Sequence, residues 1–212
     1  RFLVVSSACV YPTEVTCPTP ESEGFKNEPD QANAGYGWSK RMEEYLGRAY
    51  AKEFGIRIAI ARPYNAYGPR DDFFAESNHV IPGLLKKIID GGNPVVVWGS
   101  GKQTRSFLYA TDFARGLLEV CEKYPIADPL NIGTQEEISM GDLARLLIKL
   151  TGSKSKIYFD KSKPDGQPRR TCDTRKAEKK IGFHAKIKLE DGLRETINWY
   201  INQRKLRGLN KK

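Results

Sequence analysis

The sequence predicts an α/β fold built on a parallel sheet. Three observations point there. Short apolar runs at 1–5 and 56–61 flank an amphipathic segment from Tyr36 to Phe54, which reads as a strand–helix–strand unit and so as a parallel pair. Strand-like runs at 94–98, 105–109, 130–132 and 156–160 then alternate with helix-like segments at 79–90, 111–123, 139–150, 174–181 and 189–200. Polar loops follow the first two strands, at the end of the sheet where open α/β folds bind ligands.

Arg1 to Val5 reads as a buried strand, and Ser6 to Pro12 as the loop at its C-terminal end. Pro12 to Ala34 is rich in Pro, Glu, Thr and Asn and reads as a long irregular excursion, a length that usually carries function. In the helix from Tyr36, residues Met42, Leu46, Ala49, Tyr50 and Phe54 recur at helical spacing and are expected to form the buried face. Gly55 ends it. Arg62 to Phe74 is a second loop at the same sheet edge, with a turn signal at Gly68-Pro69. In the helix from His79, Pro82 is tolerated in the first turn, and Gly91-Gly92 closes the segment. Thr111 is expected to cap the next helix, with Asp112 placed to meet its dipole. Ser139 and Asp142 occupy the capping positions of the helix that ends at Gly152. The short helix 174–181 closes at Gly182. The last helix is expected to end near Tyr200 and fray into a basic tail. No internal repeat is found.

The chain has 212 residues, 39% of them hydrophobic, enough for one sizeable core or a core with a smaller lobe. No apolar run reaches the roughly 18 residues of a membrane span, and no leader-like segment is seen. The formal net charge is +9, with Lys and Arg concentrated in 154–163, 169–180 and 204–212. Aromatic interleaving of the single-strand-binding sort is absent there, Tyr158 and Phe159 being one adjacent pair in a strand-like run, so nucleic acid is not the expected partner; a solvated basic surface accounts for most of the charge, with selected residues left for an anionic, phosphate-bearing substrate. Cys9, Cys17, Cys121 and Cys172 form neither Cys-x-x-Cys nor a zinc spacing, and are read as free thiols of a cytoplasmic protein with no metal site.

The chemistry centres on Tyr36-Gly37-Trp38-Ser39-Lys40. Residues four apart on a helix lie one above the other, which stacks a phenol and an ammonium. A free phenol titrates near about pH 10; a nearby cation favours the phenolate and makes a usable acid for an alcohol or sugar oxygen. Taken alone, the pair also suits a core Tyr and a solvated Lys. Likewise Cys9 alone suits a small buried apolar position and His79 a helix cap. No G-x-G-x-x-G turn occurs, and Gly99-Ser100-Gly101 lies between two strands, the wrong context for one.

Ser6-Ser7-Ala8-Cys9-Val10-Tyr11-Pro12, the Tyr36–Lys40 stretch and Arg62-Pro63-Tyr64-Asn65-Ala66-Tyr67-Gly68-Pro69 together resemble the extended short-chain dehydrogenase/reductases that act on nucleotide-linked sugars. Asn78-His79-Val80-Ile81-Pro82, Val97-Trp98-Gly99-Ser100-Gly101 and 162–169 support the resemblance, which covers essentially the whole chain. It implies the C-terminal half of a Rossmann domain, a doubly wound parallel sheet, at 1–68 with 102–125 returning to it. A smaller α/β substrate-binding domain is implied at 69–101 and mainly 126–212. The glycine-rich turn is then expected upstream of Arg1.

The resemblance also implies the site. Ser7 would hydrogen-bond the sugar O4, Tyr36 would protonate it, and Lys40 would hold the nicotinamide ribose. Ser6, Pro63 and Tyr64 would line the cofactor, NADP or NAD, with NADPH favoured for a reductase. Cys9 and His79 would be an epimerising pair. Asn65, Lys87, Trp98, Arg105 and Lys163 would contact the nucleotide-sugar. Lys87 also reads as a solvated helix residue and Trp98 as core. The implied activity is 3,5-epimerisation and 4-keto reduction of a GDP-4-keto-6-deoxyhexose by a homodimer. An epimerase without net reduction and a catalytically inactive binding protein of the same fold stay open as alternatives. The Arg70 and Asp72 positions, Ala8, and Gly37-Trp38 depart from the family's usual pattern.

Overall fold

The computed structural model describes residues 1–73 and 79–209. Asn78 and the end of the basic tail, both used above, lie outside the described residues. The chain divides into two compact units. The first holds 1–66, 106–137 and 169–186; the second holds 67–105, 138–168 and the segment from Ile187 onward. Residues 126–137 and 169–186 therefore fall in the first unit, where the sequence reading put 126–212 mainly in the second, and 102–105 fall in the second. The reason is one strand, Pro129–Ile132, which pairs with the first unit's sheet and carries helix Arg175–Ile181 with it.

That sheet has three parallel strands in the order β1–β2–β4: β1 (Phe2–Val5), β2 (Ile58–Pro63) and β4 (Pro129–Ile132). Val4 faces Ile60 and Ala61 faces Leu130 in register. β2 is central and its successive side chains serve opposite faces, as the strand period of two requires. Ile58 and Ile60 pack with Val4 on one face. Ala59 and Ala61 pack on the other with Val120, Leu130, Ile181 and Phe183. Helix α1 (Ala34–Phe54) crosses between β1 and β2 and ends at Gly55 in the left-handed conformation.

The buried face of α1 is not the apolar stripe expected from the sequence. Its buried residues are Gly37, Arg41, Glu44 and Gly47, while Met42, Leu46, Tyr50 and Phe54 are exposed and Ala49 half-buried. The cause is what the helix meets. At Gly47 a Cβ would stand 3.1 Å from Val4 Cγ2 and 3.2 Å from Ile58 Cγ2, a tight fit, so glycine here suits the helix's close approach to the sheet. Arg41 donates to the Val10 carbonyl at 2.9 and 2.8 Å. Glu44 accepts from Arg62 at 2.7 Å through both oxygens and from Ser6 Oγ at 2.5 Å. Arg62 is 1% exposed and donates also to Tyr11 Oη and the Glu21 carbonyl. An apolar side chain could satisfy none of these groups.

The 12–33 excursion is ordered by distant contacts. Asn131 of β4 donates to the Thr19 carbonyl at 2.9 Å and to the Asp173 carbonyl at 3.2 Å, and accepts from Tyr11 Oη at 2.6 Å. Its backbone N–H donates to Glu21 Oε1 at 2.8 Å. Burial pushes the carboxyl of Glu21 above its ordinary range, against these bonds.

Helix α3 (Ala110–Lys123) starts two residues earlier than a Thr111 cap predicts: Tyr109 takes the N-cap position without a side-chain bond. Asp112 is buried in the first turn and accepts from Arg115 and from the Lys186 N–H. α5 is Arg175–Ile181, closed by left-handed Gly182 as expected.

The second unit pairs β3 (Val95–Trp98) in parallel with β5 (Ile157–Asp160). Helices α2 (Val80–Ile89), α4 (Met140–Thr151) and α6 (Leu189–Leu206) supply its apolar core. Ser139 caps α4 as predicted, accepting from the Asp142 N–H at 3.0 Å. α6 runs past Tyr200 because Arg204 pairs with Asp90 and donates to the Leu209 carbonyl.

Candidate active site

β1 delivers the chain into Ser6–Tyr11, where burial alternates. Ser6, Ala8 and Val10 are buried; Ser7 and Cys9 between them are half-exposed on the open side. A short 3-10 turn, Ala8–Val10, makes this possible, and Ser7 caps it by accepting from the Cys9 N–H at 3.1 Å. The capping bond uses a lone pair of the Ser7 hydroxyl and leaves its proton to be donated. Ser6, expected at the cofactor, instead turns its hydroxyl inward to Glu44.

The turn is seated directly on α1. A Cβ at Gly37 would run into the Cys9 carbonyl and Pro29, so Gly37 brings the two backbones together. Tyr36 and Lys40 flank that contact. The Tyr36 ring is about half-exposed. Lys40 Nζ lies 5.7 Å from the ring centroid and bonds both carboxylate oxygens of Glu43 at 2.9 Å. The stacking of phenol and ammonium read from the sequence is present, with Glu43 as an added partner.

Arg170 completes the group, and the sequence reading missed it. Its Nη2 lies 3.4 Å from Cys9 Sγ, across 161 positions of chain that leave no local signal. Cys172, two residues on, is wholly buried, and burial pushes its thiol far above the ordinary range, so it is no candidate nucleophile or base. All four cysteines are free.

Pro63 and Tyr64 follow β2. The Tyr64 side chain is buried with Ala8, Val10, Tyr11 and Cys172, and burial raises its phenol well above its usual value. The residue as a whole is 2% exposed, and its backbone N–H donates to the Ile132 carbonyl at 3.0 Å. Asn65 spends its amide nitrogen on the Ser106 carbonyl at 2.8 Å.

In the second unit, His79 occupies the N-cap position of α2 but its ring makes no capping bond, which removes the simple capping explanation. The ring is 81% exposed, and Nδ1 lies 3.3 Å from Asp71 Oδ1. Trp98 is 60% exposed, which excludes the core reading, and Lys163 Nζ stands 5.8 Å from its ring centroid. Arg105 Nη1 donates to the carbonyls of Thr104 and Gln167 at 2.7 and 2.8 Å. Asp165, also missed, accepts from the Ser100 N–H and pins the Gly99–Gly101 turn to the 161–168 loop that carries Lys163. That loop pair brings Lys163 to Trp98, and Arg105, on the strand Thr104–Ser106, reaches the same 161–168 loop at Gln167. Lys87 donates to the Val96 carbonyl at 3.2 Å.

A separate cavity of about 370 Å³ in the first unit is lined by Gln135, Glu137, Arg169, Asp173 and Arg175 among others. Both arginines are paired, Arg169 to Glu137 and Arg175 to Asp173, and no candidate catalytic residue lines it. No cluster of metal-ligating side chains and no helix long and apolar enough to cross a membrane occurs among the described residues.

The model of the NAD dependent epimerase/dehydratase family matches residues 1–133. The chain belongs to that family. Among its relatives, "Probable GDP-L-fucose synthase 1" of Oryza sativa subsp. japonica is 32% identical over 205 residues, which is 95% of this chain and 62% of the relative. "GDP-L-fucose synthase" of Escherichia coli K12 is 33% identical over 222 residues, covering 98% of this chain and 69% of the relative. The solved structure of a GDP-L-fucose synthetase from Naegleria fowleri bound to NADP superposes with a TM-score of 0.88 at 31% identity, over 96% of this chain and 66% of that one. The chain spans less than two thirds of the rice relative's length. The family's α/β fold, a doubly wound Rossmann-like parallel sheet with a smaller associated α/β domain, is the fold class predicted from the sequence.

Proposed function

We propose that this chain carries the catalytic groups of an NADPH-dependent 3,5-epimerase/4-reductase acting on a GDP-linked 4-keto-6-deoxyhexose, in a cytoplasmic homodimer. The observation that carries the reading is the Ser7–Cys9 turn pressed onto Gly37 of α1, which sets a hydroxyl, a thiol, a phenol and an ammonium around one backbone contact. The relatives named as GDP-L-fucose synthases supply the substrate class. In this reading the first unit is the nucleotide-binding half and the second the substrate-binding domain.

The residues present fit the nicotinamide end of such a cofactor. Lys40 offers an ammonium for the ribose hydroxyls, and the exposed Tyr36 ring lies beside it. When bound, NADPH supplies the hydride that reduces C4.

The chain's own groups do the rest. A C4 ketone makes the protons on C3 and C5 acidic, because the carbanion is delocalised as an enolate. Cys9 and His79 remove a proton and return one on the opposite face; a thiol and an imidazole both suit that exchange near neutral pH. The Arg170 guanidinium favours negative charge on the Cys9 sulfur during the transfer. Ser7 donates to O4, and Tyr36 gives O4 its proton as C4 is reduced. Trp98, Arg105 and Lys163 offer a flat ring and two cations to the nucleotide diphosphate. The exposed apolar face of α1 (Met42, Tyr45, Leu46, Tyr50 and Phe54) is the surface for the second copy.

The test gives the intact protein the 4-keto sugar nucleotide and NADPH in heavy water. The expected result is deuterium at C3 and C5, lost in Cys9→Ser and His79→Asn, with NADPH consumed. NADPH consumption without deuterium uptake reduces the activity to a 4-reductase. Uptake without consumption leaves an epimerase, and neither leaves a binding protein.

A further inference from the structure

Among the described residues, the hydrogen-bond partner of the His79 imidazole in the second unit is the Asp71 carboxylate, which the fold has fixed. Gly68, Arg70 and Phe73 fix it. The Asp71 N–H donates to the Gly68 carbonyl, and the Phe73 N–H donates to the Asp71 carbonyl at 3.0 Å. Arg70 stands at φ 69°, a region that residues other than glycine enter when the surroundings hold them there. Phe73 is fully buried and stacks on Tyr200 of α6 with centroids 4.5 Å apart. The Asp71 side chain is 16% exposed, and its Oδ1 accepts from the Asp72 N–H at 2.8 Å. Against this rigid acceptor stands the His79 side chain, 81% exposed and making no capping bond.

We propose that Asp71 is a positioning residue that fixes the tautomer and ring orientation of His79. A carboxylate only accepts hydrogen bonds, so the imidazole nitrogen facing it, Nδ1, carries the proton. In the neutral ring Nε2 is then the unprotonated nitrogen, turned away from Asp71. A proton moved between the substrate carbon and His79 travels to and from Nε2, the electron pair stays on the enolate, and the Nδ1–H bond to Asp71 is kept throughout. Asp71 touches no reacting atom. The inference deepens the reading of His79 as one of the epimerising pair and rests on it for its functional half.

The structural half is read without substrate. The chain contains two histidines, so ¹⁵N-imidazole NMR gives two ring systems, with His184 as the internal control. The expected spectrum has His79 as the Nδ1–H tautomer. Asp71→Asn keeps it, because the carboxamide oxygen still accepts; Asp71→Ala releases the ring to the mixture of a free imidazole, with His184 unmoved. In the intact protein Asp71→Ala then slows solvent-deuterium uptake by on the order of 10- to 100-fold, and Asp71→Asn restores most of it. An Nε2–H tautomer in the wild type, or the same His79 spectrum in Asp71→Ala, overturns the proposal. So does an uptake rate untouched by Asp71→Ala when the tautomer has changed. Failure of the underlying reading shows elsewhere, as undiminished uptake in His79→Asn.

Discussion

The two faces of helix α1 sort their residues in the opposite way to an ordinary surface helix. The face toward the sheet carries Gly37, Arg41, Glu44 and Gly47, two glycines and two charges. The face toward solvent carries Met42, Tyr45, Leu46, Tyr50 and Phe54. The inner face is chosen by closeness and by pairing. Glycines allow the backbone to approach Val4 and Cys9, and the charges meet Arg62 and the Val10 carbonyl. The outer face is chosen by hydrophobicity, and on a lone copy nothing among the described residues covers it. Burial on this helix therefore follows the partner surface and not the apolarity of the side chain.

The largest expected effect breaks the inner face. Arg62→Met leaves Glu44 buried without its main partner and should cost about 3–5 kcal/mol in urea unfolding. The double variant Arg62→Met/Glu44→Leu removes both charges and should recover part of the loss, a coupling readable as a double-mutant cycle. Equal, additive losses would mean that the pair does not hold this face. Next is Gly37→Ala. Alanine is the better helix former by up to about 1 kcal/mol, but its Cβ meets the Cys9 carbonyl, so a net loss of about 1–3 kcal/mol is expected. Gly35→Ala, where a Cβ meets nothing within 4 Å, is the control and should not destabilise. The smallest effect on the folded chain is on the outer face. Tyr45→Glu with Leu46→Glu should leave the unfolding of a single copy within about 0.5 kcal/mol per site. The same variant should turn a sedimenting dimer into a monomer; an unchanged sedimentation coefficient would remove α1 from the interface.

The same contrast marks what the sequence could tell. Elements set by local pattern were legible: the strand–helix–strand unit, the Ser139 cap, and the helix ends at Gly55, Gly152 and Gly182. So were the residues of the Ser7–Cys9 and Tyr36–Lys40 stretches, whose proximity the fold supplies at Gly37. The helix face was misread because periodicity finds an apolar stripe without saying what lies against it. Arg62 and Glu44 are 18 positions apart and Arg170 lies 161 from Cys9, so their pairing has no sequence signal short of the fold. Asp71 and His79, eight positions apart, could have been paired only by knowing the left-handed turn at Arg70. The late start expected for α3 came from reading Thr111 as a cap by residue type, when Tyr109 caps by position alone.

Asn131 ties the excursion ahead of α1 to an edge strand of the first unit's sheet. The excursion carrying Thr19 and Glu21 is tied down by a residue 112 and 110 positions downstream. A chain emerging in sequence makes β1, α1 and β2 long before that anchor exists. α1 and β2 already hold that excursion through Arg41 to the Asn27 carbonyl and Arg62 to the Glu21 carbonyl, so docking of Pro129–Ile132 beside β2 adds its longest-range ties.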